Sequence, residues 1–155
     1  MIDDSRTSTI PVEPAPATAV RDAALHDGRT GSPLLHISNA MVRLYKEAYG
    51  RGPTKARAQF AGPDTLVVIL EDSMTVVDRN LAAMGEHERL RENRLFFQLA
   101  LEDRFRDVIE RALGRRTIAF VSGIDTRHDV AVEVFTLEPQ PGSHPIGRDP
   151  NRSLG

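Results

Sequence analysis

Apolar residues recur at helical spacing over residues 34–49, where Ile37, Met41, Leu44, Tyr45 and Ala48 oppose Arg43, Lys46 and Glu47. Gly50 stops this helix. Residues 55–60 alternate loosely as a first strand, Ala61, Gly62, Pro63 and Asp64 supply turn chemistry, and residues 65–70 form a strongly β-branched second strand. Together they predict a hairpin. Thr75 and Asp78 have the spacing of a capping box with Asp in place of Glu, opening a short helix through Val76, Val77, Leu81 and Met84 that ends near Gly85. A longer helix is expected from about residue 86 to residue 113. Its apolar stripe is Leu90, Phe97, Leu101, Phe105, Val108 and Ala112, flanked by Phe96 and Ile109, with Gly114 as its stop.

Two apolar strands, residues 116–124 and 128–137, flank the turn formed by Asp125, Thr126 and Arg127. In the last strand Val130, Val132, Val134 and Thr136 alternate with Ala131, Glu133, Phe135 and Leu137. The order α-β-β-α-α-β-β implies an α+β fold: a two-layer sandwich of a four-stranded, mainly antiparallel sheet (two hairpins) with helices on one face. Leu101 and Phe105, mid-stripe on the long helix, are expected at the helix–sheet interface. β-Branched strands with apolar residues on both faces leave one sheet face open, which predicts a homodimer.

Composition sets the limits of this unit. Eight of the ten prolines lie in residues 1–33 or 139–155, and residues 1–33 hold no aromatic side chain. Both ends are therefore expected to be disordered tails around a single domain at residues 34–138. Over that domain 15 Lys and Arg stand against 16 Asp and Glu, which argues against nucleic-acid binding. The absence of cysteine removes disulfides, thiolate chemistry and cysteine metal sites. The acidic first residues lack the apolar run of a signal peptide, and the longest apolar run, residues 66–70, is too short to span a bilayer. A soluble, cytoplasmic protein without membrane insertion is expected.

Two arginines stand out. Arg51 lies between Gly50 and Gly52 and before Pro53, a shaped loop that offers backbone amides beside a guanidinium to a carboxylate, bicarbonate or phosphate group. The bland alternative is a turn whose arginine caps helix-end carbonyls. The loop has no phosphate-loop spacing. Arg94 falls between Leu90 and Phe97 at offsets of four and three, inside the apolar stripe. It is either an anion-binding arginine or one that snorkels or is internally paired at the core edge. Arg51, Gly52 and Arg94 are the candidate anion-binding residues, with Asp125 and His128 as secondary candidates. Asp125, His128 and Asp129 form a polar turn that is expected to be a solvated hairpin tip rather than a metal site. Ser38, Ser73 and Ser122 have no nucleophile-elbow context, so no catalytic residue, metal or cofactor is assigned.

The run from Tyr45 to Glu138 resembles a family of small bacterial domains known as MpsC-like. The family takes its name from a proposed subunit of a sodium-translocating, membrane-potential-generating system. The resemblance is carried by Tyr49 to Pro53 after a first helix, the strand at 65–70, the helix start Met74 to Asp78, and the helix containing Arg94. Gly114 and Arg115 before a strand, Asp125 at its end, and Val134 to Leu137 complete it. One departure is the helix start itself, Thr75, Val76, Val77 and Asp78, where the family pattern has Thr-Pro-Ala-Glu. The resemblance implies a stand-alone soluble domain and assigns no chemistry. The expectation is a non-enzymatic binding, regulatory or accessory-subunit domain for a small anion or a protein partner. The alternatives are a small enzyme acting on an anionic metabolite and a dimeric protein-interaction module.

Overall fold

A computed structural model describes residues 31–142. Four helices and four strands follow in the order α1 (Pro33–Tyr49), β1 (Lys55–Phe60), β2 (Thr65–Glu71), α2 (Val76–Ala83), α3 (His87–Ala100), α4 (Glu102–Leu113), β3 (Thr117–Asp125) and β4 (Val130–Leu137). The tails expected at 1–33 and 139–155 lie almost wholly outside these residues. At the boundary, Pro33 already belongs to the first turn of α1, where its missing N–H costs nothing. Gly50, at φ 74°, closes α1 in the left-handed conformation that suits glycine.

The sheet is antiparallel throughout, in the spatial order β1-β2-β4-β3. Register places Leu66, Val68 and Leu70 of β2 on one face with Ala131, Glu133, Phe135 and Leu137 of β4. Against that face pack Ile37, Met41, Leu44 and Tyr45 of α1 and Phe105 and Ile109 of α4, all buried. Leu101 is half-buried at the rim of the same core, and Phe105 is at its centre. The other face carries Val67, Ile69, Val132 and Val134, half-buried, and an exposed Val121 on the β3 edge.

The expected long helix is two helices. Leu101, at φ −94° and ψ 0°, separates α3 from α4, so the element order is α-β-β-α-α-α-β-β. A continuous helix over this stretch would run about 40 Å at 1.5 Å per residue, whereas the eight residues of β4 span roughly 27 Å. The break lets α3 lie on β3 while α4 turns back onto α1. The buried line along both helices is Leu90, Arg94, Gln98, Leu101, Phe105 and Ile109, stepping by four, four, three, four and four. Phe97, expected within the apolar stripe, is half exposed, and Gln98 takes the inward place.

The capping box at α2 forms as its spacing implies. Asp78 N–H donates to the Thr75 hydroxyl at 3.2 Å and Thr75 N–H donates to Asp78 Oδ2 at 2.9 Å. Thr75→Ala should therefore cost about 1 kcal/mol. Urea unfolding would read this as a lowered midpoint at unchanged slope; an unchanged midpoint would show that the reciprocal bonds add nothing.

Candidate functional site

α1 turns Tyr45 fully inward and, one turn later, half-buries Tyr49. The buried line of α3 sets Arg94 and Gln98 one turn apart, facing them. β4 contributes Glu133 on the covered face of the sheet, with Ser122 of β3 paired across from it. The segment between β2 and α2 supplies Ser73, and the first turn of α2 supplies Asp78. The result is a polar cluster inside an otherwise apolar layer.

Tyr45 donates its hydroxyl to Glu133 Oε1 at 2.6 Å and accepts from Gln98 Nε2 at 2.9 Å. Arg94 is 1% exposed. Its Nη2 donates to Ser73 Oγ at 2.8 Å, while Nη1 lies 3.3 Å from Asp78 Oδ2 and 3.5 Å from the Ser73 carbonyl. The guanidinium sits 4.1 Å from the centre of the Tyr49 ring and 5.7 Å from that of Tyr45, a cation over two π faces. Burying this charge is tolerable because it is paired, hydrogen-bonded and stacked at once.

Five buried polar atoms in this cluster have no protein partner: Arg94 Nε, the Tyr49 hydroxyl, Gln98 Oε1, Ser122 Oγ and Glu133 Oε2. Such atoms are costly and uncommon in folded proteins, so their concentration in one place is informative. Burial pushes Glu133 up to about 7, against the lowering pull of the Tyr45 hydroxyl, of Ser122 and of Arg94. Ser122 is close enough to act on Glu133, although its hydroxyl falls short of full hydrogen-bond geometry. Tyr45 is raised well above the usual phenol range, first by burial and then by Glu133. Tyr49 is raised to about 12 by burial, with Arg94 opposing.

A cavity of about 310 Å³ opens beside this cluster between α1, α2 and α3. Tyr49, Val77, Leu81 and Phe97 wall it with apolar surface, while Arg94 and Asn93 give it polar groups. Phe97 meets Tyr49 edge-on at 6.0 Å. A larger depression of about 470 Å³ lies by the start of α1, but exposed side chains such as Leu35, His36 and Asn39 line it, without a buried polar group.

Arg51 reaches the same segment as Arg94 from the other side. Its Nη1 donates to the carbonyls of Asp72 at 2.9 Å and Met74 at 2.8 Å, and its Nη2 pairs with Asp72 Oδ1 at 2.9 Å. Gly52 lets this loop press on α1: a Cβ there would meet the Val42 carbonyl oxygen at 2.9 Å. The two arginines thus converge on residues 72–78. Asp125 and His128 pair with each other at the exposed β3–β4 tip, 2.9 Å apart. His128 and the Arg127 amide hold Asp125 down at about 2. Asp129 instead docks this tip onto the segment, accepting from the amides of Ser73 and Met74 at 2.9 and 3.0 Å. Among the described residues no three His, Asp or Glu side chains are grouped to hold a metal ion.

Of this cluster, sequence reasoning singled out Arg94 alone as a site residue. Tyr45, Tyr49, Ser73, Asp78, Gln98 and Glu133 were outside it. The available signal was Glu133 in phase with Ala131, Phe135 and Leu137, a carboxylate on a strand face that is otherwise apolar.

Neither the curated proteins nor the solved structures provide a match to this chain. A family described as "Na+-translocating membrane potential-generating system (MpsC)" matches residues 32–139, which spans all eight elements of the fold. The chain belongs to the MpsC family.

Proposed function

We propose that this domain is a non-enzymatic accessory or regulatory domain that binds a ligand through a small anionic group beside Arg94. One observation carries the reading: a buried guanidinium with an unpartnered Nε–H, next to an unpartnered Tyr49 hydroxyl, borders a cavity with aromatic walls. Ser73 and Asp78 hold the other edge of the guanidinium, so it is fixed before a ligand arrives and binding costs little ordering. Five donors allow one arginine to serve Asp78 and a second acceptor together. The apolar walls favour a carboxylate on an apolar body over a bare ion. Arg51 and Gly52 act at one remove by holding the backbone of residues 72–74. An enzyme acting on an anionic metabolite would need a proton-transferring group at the cavity. Asp78 is already engaged by Arg94 and Thr75, and Asp125 and His128 engage each other.

No helix among the described residues is long and apolar enough to cross a membrane. Phosphate, sulfate, bicarbonate and benzoate should each be titrated against the thermal midpoint. A ligand at ten times its Kd adds about 1.4 kcal/mol by mass action, a shift of several degrees for a domain of this size. Benzoate should exceed the inorganic ions, and Tyr49→Phe should weaken the response without unfolding the protein. Midpoints that stay flat for all four anions, or that rise equally in Tyr49→Phe and wild type, would remove the proposal.

A further inference from the structure

Glu133 enters the core with too few donors to hold its charge. It is 0% exposed on the covered face of β4, and its Oε1 accepts from the Tyr45 hydroxyl. Oε2 has no donor, and neither Gln98 Oε1 nor the Ser122 hydroxyl has a partner. Gln98 meets the same Tyr45 hydroxyl, and Ser122 pairs with Glu133 across the strands. A carboxyl in this setting can carry a proton on Oε2 and offer it to either waiting acceptor. The ionised form leaves Oε2 and Gln98 Oε1 both without a donor.

The same carboxyl belongs to the electrostatics of Arg94. Tyr45 links the two, with its hydroxyl on Glu133 and its ring centre 5.7 Å from the guanidinium. Element by element, few charges face Glu133. α1 brings Tyr45 and Tyr49, both kept neutral by burial. α3 brings Arg94 and Gln98, β3 brings Ser122, and β2 sets Val68 beside it. α4 brings Phe105, stacked on Tyr45 at 5.9 Å. Asp78 of α2 joins through Arg94, 3.3 Å away.

Arg94 and Asp78 cancel one another, so Glu133 decides whether the cluster is neutral or carries one negative charge. An anion arriving at the Arg94 Nε–H meets no net charge in the first case and repulsion in the second. It also takes up the cation that favours ionised Glu133, whose charged form burial already opposes. Between charges on the order of 10 Å apart, at an effective dielectric of about 20, such an interaction changes affinity on the order of tenfold.

We infer that the Arg94 site binds its anion together with a proton, and that the proton resides on Glu133. This rests on the anion reading above and adds its regulation: the site takes a carboxylate and a proton as a charge-neutral pair and releases them as pH rises. A bound anion raises the proton affinity of Glu133, so binding is strongest with Glu133 protonated and weakens once it ionises.

Calorimetric titration of the full chain with benzoate, which stays ionised throughout, tests this from about pH 5.5 to about pH 8.5, either side of the value of about 7 at which Glu133 titrates. Affinity should fall on the order of tenfold across that range. Near the midpoint, titrations in two buffers of different ionisation heat should show uptake of about half a proton per benzoate. Glu133→Gln keeps an acceptor for Tyr45 and cannot ionise, so it should lose both the slope and the uptake. If that variant fails to fold, proton uptake by the wild type decides. Benzoate binding of equal affinity at every pH, without proton uptake, overturns the coupling and leaves the anion site standing. A slope or uptake that persists in Glu133→Gln overturns it as well, since another group then carries the proton. No binding at any pH, by calorimetry or by thermal midpoint, removes the anion site and the coupling with it.

Discussion

Arg94→Met is expected to destabilise the domain by about 3–5 kcal/mol, the usual cost of removing one partner from a buried ion pair. The methionine fills much of the arginine's stem and leaves little void. The loss arises elsewhere. Asp78, whose side chain is 12% exposed, would face no cation, and Ser73 Oγ would lose its 2.8 Å donor. Two features restrain the effect: the Thr75 amide still donates to Asp78, and the N-terminus of α2 still favours a carboxylate. Arg94→Met combined with Asp78→Asn should therefore recover about half of the loss, because asparagine keeps the capping acceptor without the charge. Urea unfolding of the wild type, the single variant and the double variant decides. A single-variant loss below about 1 kcal/mol, or a double variant no better than the single one, would show that the pair is not what holds this node.

Glu133 should make stability fall as pH rises from about 4.5 to about 7. In the folded protein its carboxyl titrates near 7, against an ordinary value of 4.5, so the folded state holds the proton more tightly than the unfolded chain. The contribution is complete below pH 4.5 and is lost as pH climbs to about 7. It amounts to about 3 kcal/mol over that window, at roughly 1.4 kcal/mol per pH unit. Asp72, Glu110 and Asp125 are shifted the other way, so their contributions fade only at lower pH, as pH falls through their depressed values. Glu133→Gln isolates the effect: its amide can still accept from Tyr45 and cannot ionise. The difference in unfolding free energy between wild type and Glu133→Gln should slope between pH 4.5 and 7 and be flat on either side. Parallel curves would show that Glu133 is solvated or paired well enough to titrate normally.

Much of the architecture was readable because it follows local rules. Two β-branched runs each gave a hairpin strand, Gly50 and Gly114 marked helix ends, and a three-residue spacing marked the α2 cap. The split at Leu101 was not readable, since no glycine or proline announces it. It is imposed by the length of the sheet beneath, a tertiary fact. The site was readable in part. Arg94's place in a hydrophobic period signalled burial, but its partners Ser73 and Asp78 come from a segment 16 to 21 residues earlier, which periodicity cannot reach. Gln98 was hidden because Phe97 is the more obvious inward residue by type. Yet Gln98 is what meets Tyr45, so a polar contact across elements decided the helix phase locally.

The strand order β1-β2-β4-β3 has a consequence for how the chain folds. Each hairpin closes over a short loop, but the seam joining them pairs residues from 59 apart (Glu71 with Val130) to 71 apart (Thr65 with Thr136). Three helices must be gathered before that seam can form, and the loop-closure entropy falls due before its contacts repay it. Refolding should be limited by this central zipper, with both hairpins and α1 able to form ahead of it. Glu133 lies in the middle of the seam, opposite Val68 on one side and Ser122 on the other. The protonation state of one buried carboxylate therefore bears on the rate at which the two halves of the molecule come together, as well as on how firmly they stay.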